Sequence, residues 1–315
     1  MKAGLLLPTW SGACAGTTPS TREVLQFAQL AAQVGFKSLW VSDHFLNEPY
    51  VDFAAMDVRL PEAFRHQKSG AWECWTLMAA LAVAVPEVTL GTLVTNTGFR
   101  NPALLARMID TVDDLSDGRL VAGLGAGDFL TEHRAFGFPF ENRVARFEEA
   151  LGIIRPLLRG ETLSVQGEFY STELAQLLPK GPRPQGPPIL IGSLRGGPRM
   201  LRLVAQYADQ WHCMLPFADS HAASYVAAWS GVTAACERAG RDPATLARHV
   251  TVGVNVGTAP YPLPGAMPLR GSTAQLLAHC AAYAELGVET LSMLVEPCTP
   301  ASLAVLAPVL AQLAP

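Results

Sequence analysis

Asp43 and His44 are the first adjacent pair in the chain with an evident chemistry. They close a run of apolar and small residues from Ser38, and an acid beside an imidazole can hold a polar ring edge and pass a proton near neutral pH. The pair equally suits a turn in which the carboxylate caps the next segment. A second acid, Asp128, comes directly after Gly123-Leu-Gly-Ala-Gly127. Glycines spaced by two let a ligand approach the backbone closely, so Asp128 either exchanges a proton with a bound ring or caps the segment after Gly127. The third candidate is Ser193-Leu-Arg-Gly-Gly-Pro198. Free backbone amides at a proline-led helix start, together with Arg195, form a cradle for a phosphate; the other reading is a glycine-rich connection with a solvated arginine.

These residues need elements that bring them together. Val88 to Asn96 is β-branched and nearly continuous in apolar character, as a strand covered on both faces should be. Arg100-Asn101-Pro102 then opens a helix with apolar residues at Leu104, Leu105, Met108, Ile109, Val112 and Leu115, and a second strand runs from Arg119 to Gly127. The alternation extends along the chain. Strands are expected at 3–8, 38–43, 188–193, 210–215, 250–256 and 290–296. Helices are expected at 20–35, where Ser20 and Glu23 have capping-box spacing, and at about 71–85, 142–158, 198–208, 219–239, 273–286 and 300–313.

Eight βα units without a run of hairpins predict a closed (β/α)8 TIM barrel, one domain over 1–315, with an open doubly wound sheet as the alternative. Two segments break the rhythm. Residues 45–71 form a long polar loop after strand two whose Arg59, Arg65, His66 and Lys68 suit either a lid or a solvated charge run. Residues 161–187, after helix four, read as an insertion with a hairpin around Gln166-Gly167. Glu132 to Phe140 reads as turn-like. Closure places Thr9, Asp43, His44, Thr95, Asn96, Gly127, Asp128, Ser193, Arg195, Met214, Asn255 and Glu296 on the rim formed by the strands' carboxyl ends.

A net charge of -4 and the absence of a basic block argue against a nucleic-acid surface. No signal-peptide pattern precedes the first strand and no apolar run reaches membrane-spanning length, so a cytoplasmic protein is expected. Six cysteines without a CxxC pair are expected as reduced structural thiols, and Glu132-His133 has no third ligand at metal-site spacing, so no metal is expected. Trp40, Trp72, Trp75, Trp211 and Trp229 lie within apolar patterns and are expected in the core, with Trp10 at the rim.

Taken together, these residues resemble the luciferase-like monooxygenase family, and within it the branch that uses the deazaflavin coenzyme F420. The resemblance covers nearly the whole chain. It rests on Leu39-Trp-Val-Ser-Asp-His-Phe45, Leu90-Gly-Thr-Leu-Val-Thr95 with Arg100-Asn-Pro102, Leu115-Ser-Asp-Gly-Arg119, Gly123-Leu-Gly-Ala-Gly127, Ala135-Phe-Gly137 and Pro188-Ile-Leu-Ile-Gly192. It implies a (β/α)8 barrel with an insertion after helix four. It also implies that Asp43 and His44 lie against the cofactor ring, Asp43 as an anchor and His44 as general acid or base, with Asp128 as its partner or the substrate's proton donor. Leu93, Val94, Thr95 and Asn96 would fall where the family carries a non-prolyl cis peptide against the ring. Gly127 would lie near the ring, and Gly192, Ser193, Leu194, Arg195 and Gly196 would hold the coenzyme phosphate. The sequence departs from sugar-phosphate dehydrogenases of this branch at Glu48, where they carry tryptophan, and near Met214-Leu-Pro216, where they carry a phosphate-binding lysine. The activity implied is hydride transfer between F420 and a small organic substrate. The alternatives are an FMN monooxygenase and a non-catalytic flavin-binding protein. A homodimer is also implied.

Overall fold

The computed structural model describes residues 1–54, 60–62, 65–193, 196–215, 219–258, 261 and 265–313. Eight strands carry the architecture: β1 (Lys2–Leu6), β2 (Ser38–Val41), β3 (Thr89–Thr92), β4 (Leu120–Gly125), β5 (Ile189–Gly192), β6 (Gln210–Met214), β7 (Ala247–Asn255) and β8 (Thr290–Glu296). Each pairs in parallel with the next, and β8 returns to β1, so the sheet closes. The open-sheet alternative is thereby excluded. Around the barrel stand α1 (Thr21–Val34), α2 (Cys74–Ala84), α3 (Pro102–Leu115), α4 (Arg143–Leu158), α5 (Pro198–Tyr207), α6 (Ala222–Arg238), α7 (Thr273–Glu285) and α8 (Pro300–Leu313). No helix among the described residues is long and apolar enough to cross a membrane.

Strand alternation divides the buried side chains into two layers. Leu5, Leu39, Leu90, Leu120, Ile191, Trp211, Val252 and Met293 face the helices in the main core. The opposite face of the strands fills the barrel, where Trp40, Leu93, Val121 and Leu190 form a separate cluster. Trp40 occupies space that two glycines leave open: a Cβ at Gly91 would meet its ring at 2.2 Å, and one at Gly4 its indole nitrogen at 2.8 Å. His212 and His249 lie in the same interior, bonded to the Thr251 and Ser292 hydroxyls at 2.9 and 2.7 Å. Burial holds the His212 imidazole down to about 3, so it is neutral. With the barrel's interior filled by these side chains, the chemistry is left to the rim.

Local signals explain the helix ends. Ser20 and Glu23 form the capping box of α1, and the Asn101 side chain accepts amides at the start of α3. Three expectations are corrected. The helix foreseen from about residue 71 begins at Cys74, because the Glu73 carboxylate accepts the Trp75 and Thr76 amides and so ends the preceding extended segment. Trp72 therefore lies before the helix and not in the core; it is 42% exposed and donates its indole N–H to the Pro19 carbonyl. The turn expected over 132–140 is instead a helix, Leu130–Phe136, closed by Gly137 in the left-handed region.

The segment 45–71 has structure of its own. Leu46–Asn47 pairs antiparallel with Ser69–Gly70, and Pro49–Asp52 is a short helix. Arg65 is held by Glu62 and Tyr50, and Lys68 by Glu48, so both cations have partners within the segment; Arg59 lies outside the described residues. The insertion is a hairpin of Leu163–Gln166 and Ser171–Ala175, fastened where the Glu149 carboxylate accepts the amides of Glu168, Phe169 and Tyr170.

Candidate active site at the carboxyl rim

The rim is organised by a departure in β3. Gly91 pairs with Val121 but Thr95 pairs with Leu124, so four steps along one strand face three on the other. Within that bulge the Leu93–Val94 peptide is cis, where the family resemblance implies it. Val94 then fills room left by two glycines: a Cβ at Gly125 would lie 2.6 Å, and one at Gly192 3.3 Å, from its methyl carbons. Thr95 is buried and donates to the Thr92 hydroxyl, which donates in turn to the Gly123 carbonyl.

Asn96 joins three strand ends. Its backbone N–H donates to Asp43 Oδ2 at 3.1 Å, its Nδ2 donates to His133 Nε2 at 2.9 Å, and its Oδ1 accepts the Gly98 N–H. His133 Nδ1 bonds the Pro139 carbonyl at 2.9 Å. Burial holds that imidazole below its ordinary value, consistent with a neutral ring that donates from Nδ1 and accepts at Nε2. Gly127 sits at φ +78 with its side-chain direction blocked by Asn96 Nδ2 at 2.3 Å. Its lack of a side chain thus serves the Asn96 packing directly.

Asp43 is fully buried and bidentate with Arg100, at 2.6 and 3.0 Å, and Arg100 also reaches Glu73 at 2.6 Å. Burial pushes the Asp43 carboxyl up and the guanidinium opposes that shift. Both carboxylate oxygens engage protein groups, so Asp43 braces the ends of β2 and β3.

His44 faces a different environment. Its Nδ1 lies 2.8 Å from Glu132 Oε1, and Glu132 Oε2 accepts the Phe45 and Leu46 amides at 2.8 and 3.4 Å. Glu132 is wholly buried, whereas the His44 side chain keeps 18% of its surface open to the mouth. The imidazole stacks on Phe129 at 4.3 Å and lies 5.3 Å from Trp10, whose indole N–H donates to Ser42. Burial lowers the His44 pKa, but the Glu132 bond and the charges of Glu132, Asp128 and Asp43 outweigh it and raise it to about 9. His44 is therefore an imidazolium at neutral pH, able to donate a proton.

Asp128 opens to solvent in the mouth, yet protein walls surround it, and that partial desolvation raises its carboxyl against the pull of His44. Its side chain accepts no hydrogen bond among the described residues. The cluster thus pairs a charged imidazole with an acid whose proton is held more tightly than usual, an arrangement suited to proton exchange with a bound molecule.

The family description "luciferase-like monooxygenase" matches residues 1–260. The chain belongs to that family. A phthiodiolone/phenolphthiodiolone dimycocerosates ketoreductase of Mycobacterium tuberculosis is 31% identical over 250 residues, covering 76% of this chain and 62% of that one. An F420-dependent glucose-6-phosphate dehydrogenase of Amycolatopsis mediterranei is 32% identical over 199 residues, covering 61% and 53%. The chain thus spans between about half and three fifths of the length of these curated relatives. Among solved structures, an F420-dependent secondary alcohol dehydrogenase in complex with an F420–acetone adduct superposes with a TM-score of 0.77 at 17% identity, covering 100% of this chain and 99% of that one. At that identity the likeness speaks for the shared barrel fold.

In this luciferase-like chain, Asp43, His44, Leu93, Val94, Thr95, Asn96, Gly127 and Asp128 converge around the ends of β2, β3 and β4. Gly192, Ser193 and Gly196 lie at the end of β5, where Ser193 Oγ accepts the Trp211 indole N–H at 3.0 Å. Leu194 and Arg195 lie outside the described residues. Glu132, Arg100 and His133 were not among the candidate site residues. A signal existed for Glu132, since Leu130 to Phe136 can be read as a helical turn that points an acid back at the strand ends.

Proposed function

We propose that this luciferase-like protein is an F420-dependent oxidoreductase that transfers a hydride between the deazaflavin and a small organic substrate. The observation that carries the reading is the His44–Glu132 pair facing the mouth beside the bulge at Leu93 and Val94. The residues present fit such a cofactor. Val94 packs into the room left at Gly125 and Gly192, which fixes it at the strand ends where a ring would lie. The start of α5 has Gly197 as its cap and Pro198 in its first turn, with no side-chain cap on its amides among the described residues, as suits a phosphate. Ser193 and Gly196, with Leu194 and Arg195 of the same loop, would hold that phosphate, and Leu93, Val94 and Thr95 would support the ring. When bound, F420 supplies the hydride chemistry.

The protein's own part is orientation and proton supply. His44 is the general acid: Glu132 fixes Nδ1, keeps the ring charged and leaves Nε2 as the donor. In the reductive direction Nε2 gives its proton to the substrate heteroatom, a carbonyl oxygen or imine nitrogen; in alcohol oxidation it takes that proton back. Asp128 stabilises the imidazolium or relays the proton to solvent. Asp43, through Arg100 and Asn96, keeps the ends of β2 and β3 in place. The relatives that carry F420 in their names support this cofactor. A phosphate cradle serves FMN equally, which keeps a flavin monooxygenase as the second reading. Optical titration of the purified protein with oxidised and reduced F420 and with FMN separates the two. Saturable F420 binding is expected, and tight FMN binding with none of F420 would overturn the proposal.

A further inference from the structure

The geometry points to a substrate-recognition site at Glu296 and Tyr261, across the mouth from Asp128, that takes a hydroxyl or protonated amine of the substrate and disfavours carboxylates and phosphates. The inference rests on the reading of this mouth as the place where substrate meets cofactor.

Strand register turns Glu296 inward. On β7, Val250, Val252 and Val254 face the helices, and on β8 Leu291, Met293 and Val295 do so. The alternation of side chains along a strand therefore directs Asn255 and Glu296 into the barrel, and these two residues are register partners at its carboxyl end. In a closed ring of eight strands β8 stands opposite β4, so Glu296 and Asp128 occupy facing walls of one mouth. Asp128 belongs to the proton-handling group; Glu296 has no part in it.

Glu296 is half-buried, and its carboxylate accepts no hydrogen bond and forms no ion pair among the described residues. Burial alone, with no charge to offset it, raises its pKa to about 7. A carboxyl so placed lacks the donors that a buried acid needs. The Tyr261 hydroxyl, close enough to feel its charge, is similarly unpaired. Tyr261 is 7% exposed, and its hydroxyl has no partner among the described residues. That hydroxyl lies where a side chain at Gly253 would be, 2.6 Å from the Cβ position, on the inward face two residues before Asn255. Buried polar atoms without partners are rare in folded proteins. The Tyr261 hydroxyl and the half-buried Glu296 carboxylate, near the ends of β7 and β8, are thus left for a ligand to pair, and the carboxylate calls for a hydrogen-bond donor.

The charge selects the class of ligand. Glu296 attracts an ammonium and accepts from a hydroxyl, whereas a ligand carboxylate or phosphate meets a like charge or an acid that must stay protonated. The expected substrate is therefore a carbonyl or imine compound, or the corresponding alcohol or amine, carrying a second group that is a neutral or cationic donor.

The test uses one carbon skeleton in three forms, an amino ketone, a hydroxy ketone and a keto acid. Their dissociation constants for the purified full chain are measured by ligand-detected NMR, with whichever of F420 or FMN binds present at saturation. The amino and hydroxy ketones are expected to bind about 10-fold or more tightly than the keto acid, a ratio equivalent to about 1.4 kcal/mol. Glu296→Gln should lose the preference for the amino ketone and leave cofactor affinity unchanged, and Tyr261→Phe should weaken the hydroxy ketone. Equal affinity of the wild-type chain for all three, or an unchanged order in Glu296→Gln, overturns the inference. Failure of F420 to bind overturns the cofactor assignment instead and does not alter the ligand ranking.

Discussion

Glu132 Oε1 lies 2.8 Å from His44 Nδ1, although 88 residues separate the two in sequence. Glu132 is wholly buried, and its second oxygen is held by the Phe45 and Leu46 amides, so the carboxylate has one orientation and points its charge at the ring. The pair predicts a titration. The His44 pKa, raised from 6.5 to about 9, makes the imidazolium the resting form. Reduction, which needs that proton, should fall as pH rises through about 9. In Glu132→Gln the decline should move toward neutral pH, and turnover should drop about 100-fold, the lower end of what general acid catalysis contributes. The same sign governs stability: a pKa raised in the folded state contributes fully below 6.5 and is lost as pH approaches about 9. NMR titration of the His44 ring checks the assignment, and an unchanged midpoint in Glu132→Gln would show that Glu132 does not set it.

Asp43 leads to a prediction about stability. Its two oxygens accept from Arg100 and from the Asn96 amide, and the Arg100 side chain is 9% exposed. Asp43→Ala leaves that guanidinium with Glu73 alone and should cost about 3 to 5 kcal/mol. Urea unfolding measures the loss. Combining Asp43→Leu with Arg100→Met removes both charges and should recover part of it; a double variant no more stable than the single would show that the charge left behind is not the cause.

The barrel was legible in the sequence because its signals are local. Continuous β-branched runs, the Ser20–Glu23 cap and the Pro102 helix start each act within one turn or strand, and their repetition eight times gives the closed sheet. The rim was legible less fully. Asp43, His44 and Asp128 stand out by type and position, but the bonds that decide what each does reach across the fold. Arg100, 57 residues from Asp43, read only as part of a helix start. Glu132 looked like one more acid beside a histidine. Trp72 was misplaced because an apolar residue before a helix has the same local pattern as one inside it, and only the Glu73 cap decides where the helix begins.

Gly127 should tolerate no side chain. It combines φ +78 with an Asn96 nitrogen 2.3 Å from its Cβ position. Gly127→Ala should therefore destabilise by about 2 kcal/mol or more, from backbone strain and a displaced Asn96. The two contributions are separable by thermal or urea unfolding. In an Asn96→Ala background the steric part disappears, so the same glycine substitution should cost less; an equal cost in both backgrounds would leave backbone strain as the whole explanation.

The loop after β5 offers a contrast between two adjacent glycines. A Cβ at Gly196 would lie 3.0 Å from Ser193 Cβ and 3.2 Å from Met200 Cβ, so a side chain there presses the loop away from the start of α5. At Gly197 nothing lies within 4 Å, and its backbone is extended at φ -61, ψ 169, so alanine fits. If the uncapped first turn of α5 holds the cofactor phosphate, displacing Gly196 should matter only to ligands that carry one. Gly196→Val should weaken F420 and FMN about 10-fold, a loss of about 1.4 kcal/mol, and leave riboflavin, which has no phosphate, nearly unaffected. Gly197→Ala should retain wild-type affinity for all three. Fluorescence or absorbance titrations give the three constants for each variant, and a parallel loss of riboflavin and FMN affinity in Gly196→Val would mean that the loop shapes the mouth as a whole and has no selective hold on the phosphate.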